Sequence, residues 1–415
     1  MKDTVDKAFE YIEKSKFYFK LFYLFVSLTF ATALKIIPGI GILNKIALLW
    51  ALIIILYMLF KGYRKRKLYS FDIPLQIFLI LTLILTLIFY RTGSNLVSWL
   101  VNCILFLSIY TIDIFNDKKE LIKEMEIITY FFTGFMAIVS TISLLMRFLD
   151  KNIHIGEYLF YGNKGGLFEN ENAISIAAAI AIAMCIYLNY STKINKIKLY
   201  CLGNIALQLI SMIVFRGRSA ILIVVAMFYT AIFVYVKNKY IRISMIVIPI
   251  ILMIVSLIVV VGTDWNFTSI RLYTSGRNNL WRAAWIVIKW YPLVGVGGSA
   301  LVDNIREARV TFDLPGLQYG GLHNIYFQIA TVNGIISLIL FLAFLCGMLF
   351  FLLQRLDTLK RKERLRMTTL VAMLVGILAV NIFESTLIYI ISFICMIFWI
   401  YLGYVISILD NRNFK

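Results

Sequence analysis

The chain has 415 residues, of which 61% are hydrophobic and 15% are charged, and its formal net charge is +19. A soluble globule of this composition would expose more apolar surface than water tolerates, so that class is excluded. The Lys and Arg residues stand in short clusters between apolar blocks instead of on one amphipathic face, which indicates membrane topology and argues against nucleic-acid binding.

The apolar blocks set the predicted architecture. They are about 18 to 22 residues long, the length that an α-helix needs to cross about 30 Å of hydrocarbon. The sequence therefore predicts an all-α fold, a polytopic transmembrane helical bundle that forms one integral membrane domain over residues 1–415. The twelve predicted spans cover residues 18–37, 43–60, 73–90, 95–115, 126–148, 173–190, 199–215, 219–236, 243–262, 332–353, 367–383 and 387–408.

The loops between these blocks predict the orientation. Every second loop is basic, namely residues 61–67, 116–124, 191–198, 237–242 and 355–366. Basic loops stay on the cytoplasmic side, so both termini are predicted to be cytoplasmic. The charged N-terminus is followed by a span without a clear small-residue cleavage motif, which favours a retained anchor over a signal peptide.

Two loops on the predicted outer side are long, residues 149–172 and residues 263–331. In a chain whose other connections are short, a long loop more often has a function than serves only as a connection. The larger loop carries a helix pattern at 278–292, with Trp281 and Trp285 at helical spacing and a proline at its end. We expect this helix to lie along the membrane interface.

Two asparagines precede the sixth predicted span. Asn170 and Asn172 lie in "GGLFENENA" (165–173). Asparagine is a good helix cap, and that structural role is one interpretation. The other is contact with substrate, because amide groups suit sugar hydroxyls.

Four arginines occupy predicted outer segments. Arg216 and Arg218 lie in a very tight turn, against the usual bias for positive charge inside, which favours an anionic partner held by the guanidinium groups. The alternative is an arginine that reaches lipid head groups. Arg277 follows a glycine just before the interfacial helix and Arg282 lies on that helix; by itself, Arg277 would be interpreted as a solvated loop residue.

His323 is one of only two histidines, and it lies at the start of the helix pattern "NIYFQIATVNGIISLILF" on the predicted outer boundary. A neutral imidazole can accept and release a proton near pH 7, which makes His323 a candidate general base with Asn324 beside it. The five cysteines fall inside apolar blocks, without a CxxC pair or a histidine at ligand spacing. Neither a disulfide nor a metal site is predicted.

These segments occur in an order that resembles the O-antigen ligase and polymerase family of bacterial envelope glycosyltransferases. The similarity rests on "RGRSA" (216–220), "SGRNNLWRAAWIVIKWYPLVGVGGS" (275–299) and "HNIYFQIATVNGIISLILFL" (323–342), with "GLFENENA" before them. Two departures stand out: Glu171 replaces a proline of the family pattern, and Gly217 replaces a serine. The matching positions are Ser275, Gly276, Arg277, Trp281, Pro292, Leu293, Gly295, Gly297, His323, Asn324, Tyr326, Gln328 and Gly334.

The resemblance implies a GT-C-like membrane enzyme that transfers glycans from undecaprenyl diphosphate at the outer face of the cytoplasmic membrane. It also implies an inverting reaction without a metal or other cofactor, and a chain-length regulator and a flippase as possible partners. Our hypothesis from the residues is that Arg218 and Arg277 clamp the diphosphate, that Arg282 assists, and that His323 deprotonates the attacking hydroxyl.

Several alternatives stay open at this point. The motifs do not separate a polymerase from a ligase that acts on lipid A core, although the richness in Ile, Lys, Asn and Tyr favours a polymerase by association with genomes that lack lipid A. A lipid-linked oligosaccharide flippase or another transporter is the alternative from a different class. Glu384, in a tight outer turn, is a rival general base or an orienter for an arginine.

Overall fold

The structure is a computed structural model that describes residues 2–60, 67–155, 158–262, 274–309 and 311–413. Most of the basic loop predicted at 61–67 lies outside the described residues, as does the first part of the long loop predicted at 263–331.

Helices dominate the described residues, as the hydropathy pattern predicts. The helices are α1 (Lys2–Ala31), α2 (Ile40–Phe60), α3 (Asp72–Ile88), α4 (Gly93–Cys103), α5 (Lys118–Phe148), α6 (Glu171–Ser191), α7 (Asn195–Phe215), α8 (Arg218–Tyr235), α9 (Lys239–Gly262), α10 (Arg277–Trp290), α11 (Leu301–Glu307), α12 (Ile325–Asp357), α13 (Arg361–Val380) and α14 (Phe393–Leu409). A π-helical segment, Ile104–Ile109, continues α4, and short 3-10 helices cover Ala33–Ile36 and Leu317–Tyr319. A small antiparallel hairpin, β1 (Ile153–Ile155) and β2 (Tyr158–Phe160), lies before α6.

The all-α prediction is confirmed, and each of the twelve predicted spans overlaps a helix. Among the described helices, seven are long and apolar enough to cross a membrane, namely Ile40–Phe60, Lys118–Phe148, Glu171–Ser191, Asn195–Phe215, Arg218–Tyr235, Lys239–Ser256 and Ile325–Asp357. Three more apolar helices are shorter: Asp72–Ile88, Gly93–Ile109 and Phe393–Leu409. The count of twelve spans and the orientation of the termini stay predictions.

Two helices form the centre of the bundle. Helix α14 is buried almost throughout, and α6 is buried over most of its length. Both are apolar on all sides, as expected of helices with neighbours all around. The alanines of α6 present little bulk to α5, α7, α8 and α13, which pack against it. By contrast, α9 leaves most of its described side chains exposed, as a helix facing lipid would.

A glycine breaks the helix that follows His323. Gly334 has φ 81° and ψ 168° inside α12, and a Cβ at this position would lie 2.1 Å from the carbonyl oxygen of Leu293. The break interrupts the hydrogen bonds within the helix at this point. The Ile335 N–H instead donates to the carbonyl of Pro292, in the segment after α10, at 2.8 Å. The predicted span at 332–353 is thus the second part of a longer helix whose first turns belong to the site.

The two ends of the bundle differ. Basic loops meet at one end, where ion pairs link Lys67 to Asp410 at 3.0 Å and Lys118 to Glu363 at 2.7 Å. The α7–α8 turn, the beginning of α12 and the segment between α13 and α14 meet at the other end. The basic loops of the sequence therefore lie at one end of the bundle, and the segments that carry the predicted site residues lie at the other.

Candidate functional site

A large cavity opens at the end opposite the basic loops. Its volume is about 1290 Å³, and we call it the main cavity. Segments from the two long predicted outer loops, from the α7–α8 turn and from the turn that carries Glu384 line it, together with the end of α1. Seven of the nine site residues predicted from the sequence contribute to the lining: Asn170, Asn172, Arg216, Arg218, Arg277, His323 and Glu384.

The turn between α7 and α8 presents two arginines to the main cavity. Arg216 ends α7 in the left-handed region, at φ 52°, and Arg218 begins α8. Between them, a Cβ at Gly217 would lie 2.2 Å from the Cβ of Ser175 on α6. Only glycine lets the turn approach α6 so closely. Both guanidinium-bearing residues are exposed.

Arg277 is held against the segment between α13 and α14. Gly276, at φ 78°, makes the turn that starts α10 with Arg277. The Nη2 atom of Arg277 lies 3.2 Å from Oε1 of Glu384, and Nη1 donates to the Phe383 carbonyl. These two side chains are 13% and 14% exposed, so water screens the pair less than it would a surface pair.

His323 meets the same glutamate from the other side. Its Nδ1 atom lies 3.5 Å from Oε2 of Glu384, and its side chain is 28% exposed. The backbone of His323 is left-handed, at φ 46°, a conformation that favours glycine. Nε2 faces Gly316, where a Cβ would lie 2.4 Å away. Glu384 therefore joins Arg277 and His323 into one cluster, and Gly316 leaves room for the free nitrogen of the imidazole.

Two predicted residues do not line the main cavity. Asn324 is buried and caps α12, since its Oδ1 accepts from the N–H groups of Tyr326 and Phe327, each at 3.0 Å. Arg282 lies partly buried on α10, one and a half turns beyond Arg277, and it interacts with other residues of the chain.

Asn170 confirms the capping interpretation, whereas its contact with substrate stays a prediction. Its Oδ1 accepts from the N–H of Ala173 at 2.8 Å, which caps α6, and the residue also lines the main cavity. Asn172 lies in the first turn of the same helix and lines the cavity as well.

Sequence reasoning missed Lys164 and the acidic residues Glu169 and Glu171, all of which line the main cavity. Their position within or beside "GGLFENENA" is a signal that was available, because that pattern already drew attention to the asparagines. Gly316 is a different case. Nothing in its local sequence points to His323, and only the folded chain brings the two together.

The main cavity has an apolar wall as well as a charged one. Phe30, Ile176, Leu222, Ile391 and Phe393 come from the outer ends of four helices and the segment before α14. A cavity with cationic and apolar walls suits a molecule that joins an anionic group to a hydrocarbon chain. The described residues hold no group of three or more His, Cys, Asp or Glu side chains arranged to bind a metal ion.

Comparison with known protein families finds a match over the part of the chain that carries most of the site. Residues 203–342 match the family model described as O-Antigen ligase. This stretch contains the α7–α8 turn, Arg277, Arg282, His323 and the glycine that breaks α12. No curated protein matches the chain.

Proposed function

We propose that the chain is a multi-pass membrane glycosyltransferase of the O-antigen ligase and polymerase type, and within that type a polysaccharide polymerase. It transfers a glycan from undecaprenyl diphosphate onto a second lipid-linked repeat unit at the outer face of the cytoplasmic membrane. The donor, the acceptor and the bilayer are its partners, with a chain-length regulator and a flippase acting beside it.

One observation carries the proposal. The main cavity joins a histidine, three arginines, a lysine and three glutamates with an apolar wall. A lipid-linked diphosphate has the two properties that this combination recognises, an anionic group and a long hydrocarbon chain. Glycosyl transfer also needs a group that takes up the proton of the acceptor hydroxyl, and the histidine can do this.

The arginines act on the leaving group. Negative charge builds on the diphosphate as its bond to the anomeric carbon breaks, and Arg218 and Arg277 neutralise that charge. Arg277 keeps its position through Phe383 and Glu384 and retains further N–H donors for a phosphate. Arg216 extends the positive surface, whereas we assign Arg282 no contact with substrate.

His323 acts on the acceptor. The carboxylate of Glu384 beside Nδ1 favours the tautomer that carries its proton there, so that Nε2 accepts the proton of the attacking hydroxyl. The acceptor oxygen then bonds to the anomeric carbon while the electron pair of the old bond leaves with the diphosphate. Attack from the side opposite the leaving group inverts the configuration. Glu384 stabilises the imidazolium that forms, as the carboxylate does in a catalytic triad.

The first experiment uses the protein in nanodiscs with a panel of synthetic undecaprenyl diphosphate oligosaccharides and EDTA in place of added metal. We expect wild type to form a ladder of products on a gel, with the anomeric configuration inverted by NMR. His323→Ala removes the ladder, a loss of about 10² to 10⁴ in rate, while the donor still binds. His154→Ala is the matched control, because His154 is exposed on β1 away from the main cavity.

Other outcomes separate the alternatives. A single transfer onto lipid A core without a ladder would make the protein a ligase. Labelled lipid that crosses the bilayer while no donor is consumed would make it a flippase. Activity that stops with EDTA and returns with a divalent cation would overturn the metal-free mechanism.

A further inference from the structure

A second, smaller cavity lies between α3, α4, the segment after α10 and α12. Its volume is about 210 Å³, and we call it the polar pocket. Hydroxyl, amide and aromatic side chains form its walls, and none of its described lining residues is charged. Its lining includes Tyr90, Asn95, Trp99, Gly298, Ser299 and Asn333.

A buried hydroxyl in this pocket lacks a good partner. Tyr90 is 8% exposed, and its hydroxyl completes no hydrogen bond of good geometry within the described part of the chain, although Asn333 lies near it. Leaving a buried hydroxyl without a partner is unfavourable, because its interaction with water is lost and not replaced. Since buried polar groups are nearly always bonded, this hydroxyl points to a ligand that supplies the missing bond.

The walls of the polar pocket are fixed before any ligand binds. Asn95 donates to the Tyr90 carbonyl at 3.0 Å and accepts from the Ser299 N–H at 2.9 Å. Trp99 donates its indole N–H to the Leu79 carbonyl at 2.9 Å, which holds the ring in place. Gly297, at φ 73°, lies so close to the Tyr90 ring that a Cβ would be 2.8 Å from it. A site held in this way loses little freedom when it binds.

The polar pocket adjoins the main cavity but does not share its charged residues. Ile390 lines both cavities, and the hydroxyl of its neighbour Tyr389 donates to Asn333 at 2.6 Å. The phosphate-binding arginines line the main cavity and not the polar pocket. The pocket therefore suits the part of a substrate that carries no phosphate.

We infer that the polar pocket binds one neutral sugar residue of the acceptor glycan, an assignment that rests on the proposed function. Hydroxyl and amide groups match sugar hydroxyls, and the Trp99 and Tyr90 rings offer apolar faces to a sugar ring. The volume is below the roughly 300 Å³ at which pockets for drug-sized ligands begin, so it admits a single ring rather than a chain. The absence of charged lining residues among those described favours a neutral sugar over a uronic acid.

Tyr90→Phe tests the inference with the least disturbance. The substitution removes only a hydroxyl that has no good partner, so we expect the Tm of the protein to stay the same or rise. With donor saturating and acceptor varied, we expect the KM for acceptor to rise about tenfold, while kcat and the KM for donor stay unchanged. Tyr23→Phe is the matched control, since the Tyr23 hydroxyl is also buried without a partner among the described residues, and Tyr23 lines neither cavity.

A binding measurement removes the dependence on catalysis. Saturation-transfer NMR in nanodiscs compares glucose, galactose and N-acetylglucosamine with glucuronate. We expect signal for at least one neutral sugar and none for glucuronate, with the signal lost in Tyr90→Phe and kept in Tyr23→Phe. Gly298→Ala is a second variant, because its Cβ would meet only Asn95, at an ordinary 3.5 Å, yet it narrows the pocket. It too should weaken the sugar signal.

The experiments distinguish a failure of the pocket assignment from a failure of the proposed function. If wild type forms products but neither Tyr90→Phe nor Gly298→Ala changes acceptor KM or the sugar signal, the inference fails while the proposed function stands. A rise in donor KM instead of acceptor KM overturns the assignment to the acceptor. If wild type consumes no donor, the proposed function fails, and loss of the neutral-sugar signal in Tyr90→Phe then reports a sugar site in a protein of another activity.

Discussion

The two ends of the helix bundle use charge in opposite ways. At the end with the basic loops, Asp410 pairs with Lys67 and Arg355, and Arg242 pairs with Asp357, so cations and carboxylates satisfy each other. At the end with the main cavity, Glu384 is shared between an arginine and a histidine, and Arg216 and Arg218 are exposed residues that line the cavity.

We therefore assign the paired charges at the loop end to the stability of the fold and the charges at the cavity end to the reaction. A carboxylate enclosed by cations, such as Asp410, stabilises the folded chain. Burial by itself would raise the pKa of Asp410, but hydrogen bonds from Tyr69 and Lys67 and the positive charge of Arg355 hold that pKa below its ordinary value of 3.8. Groups that face a cavity can instead act on a substrate. Substitutions at the cavity end should therefore change the reaction, and those at the loop end should change stability.

Among the substitutions that compare the two ends, the largest effect is expected for Glu384→Gln, which removes the charge that orients both His323 and Arg277. We expect kcat to fall about 100-fold, the lower limit of what general-base catalysis contributes, with the KM for donor little changed. Glu363→Gln makes the same change at the loop end, where Glu363 pairs with Lys118, and should leave kcat unchanged. Equal loss of kcat in both variants would contradict the division between the two ends.

Gly316→Ala should have the next largest effect, because its Cβ would lie 2.4 Å from Nε2 of His323. We expect kcat to fall about 30-fold, within the hundredfold that a misplacement of 1 Å can cost. The control is Gly39→Ala, which has a similar φ of 82° but no atom within 4 Å of its Cβ. Single-turnover rates in nanodiscs compare the two. If they fall equally, backbone strain explains the loss and contact with His323 does not.

Asp410→Asn should change stability and leave kcat alone. Its side chain is 5% exposed, and losing its charge should lower the free energy of unfolding by about 1.5 kcal/mol near pH 7. Because the pKa of Asp410 is lower in the folded state, this contribution is present above the unfolded pKa and is lost as pH falls through the folded pKa. Thermal unfolding of wild type and variant should therefore differ at pH 7 and converge in acid. A difference that persists in acid would contradict this account.

The smallest effect is expected for Asp357→Asn. Asp357 pairs with Arg242 and Arg364 at the same end, but its side chain is 41% exposed, so water screens the pairs. We expect a loss of about 0.3 kcal/mol in the free energy of unfolding. Asp410→Asn and Asp357→Asn are chemically identical substitutions. Comparing the loss in the free energy of unfolding between them therefore tests whether burial of the carboxylate decides its contribution. A loss as large as that of Asp410→Asn would show that exposure does not decide the effect.

Much of the site was predictable because its residues come from short local patterns. The α7–α8 turn lies between two predicted spans, Arg277 just before the predicted interfacial helix, and His323 at the start of a helix pattern; all of them line the main cavity. Asn324 and Arg282 were placed by the same reasoning but do not line it. A residue at a helix start can point its side chain into the helix, as Asn324 does when it caps α12, and sequence position does not decide between these directions.

The sequence by itself determined that this protein is embedded in a membrane as a set of helices, because hydropathy and block length are local properties of the chain. The tertiary structure decided which residues meet. Glu384 reaches both Arg277 and His323 because the segment between α13 and α14 packs against the starts of α10 and α12. The contact between these side chains depends on the left-handed backbone at His323 and on the helix break at Gly334. Both backbone conformations are unfavourable by themselves, and the packing around them stabilises them.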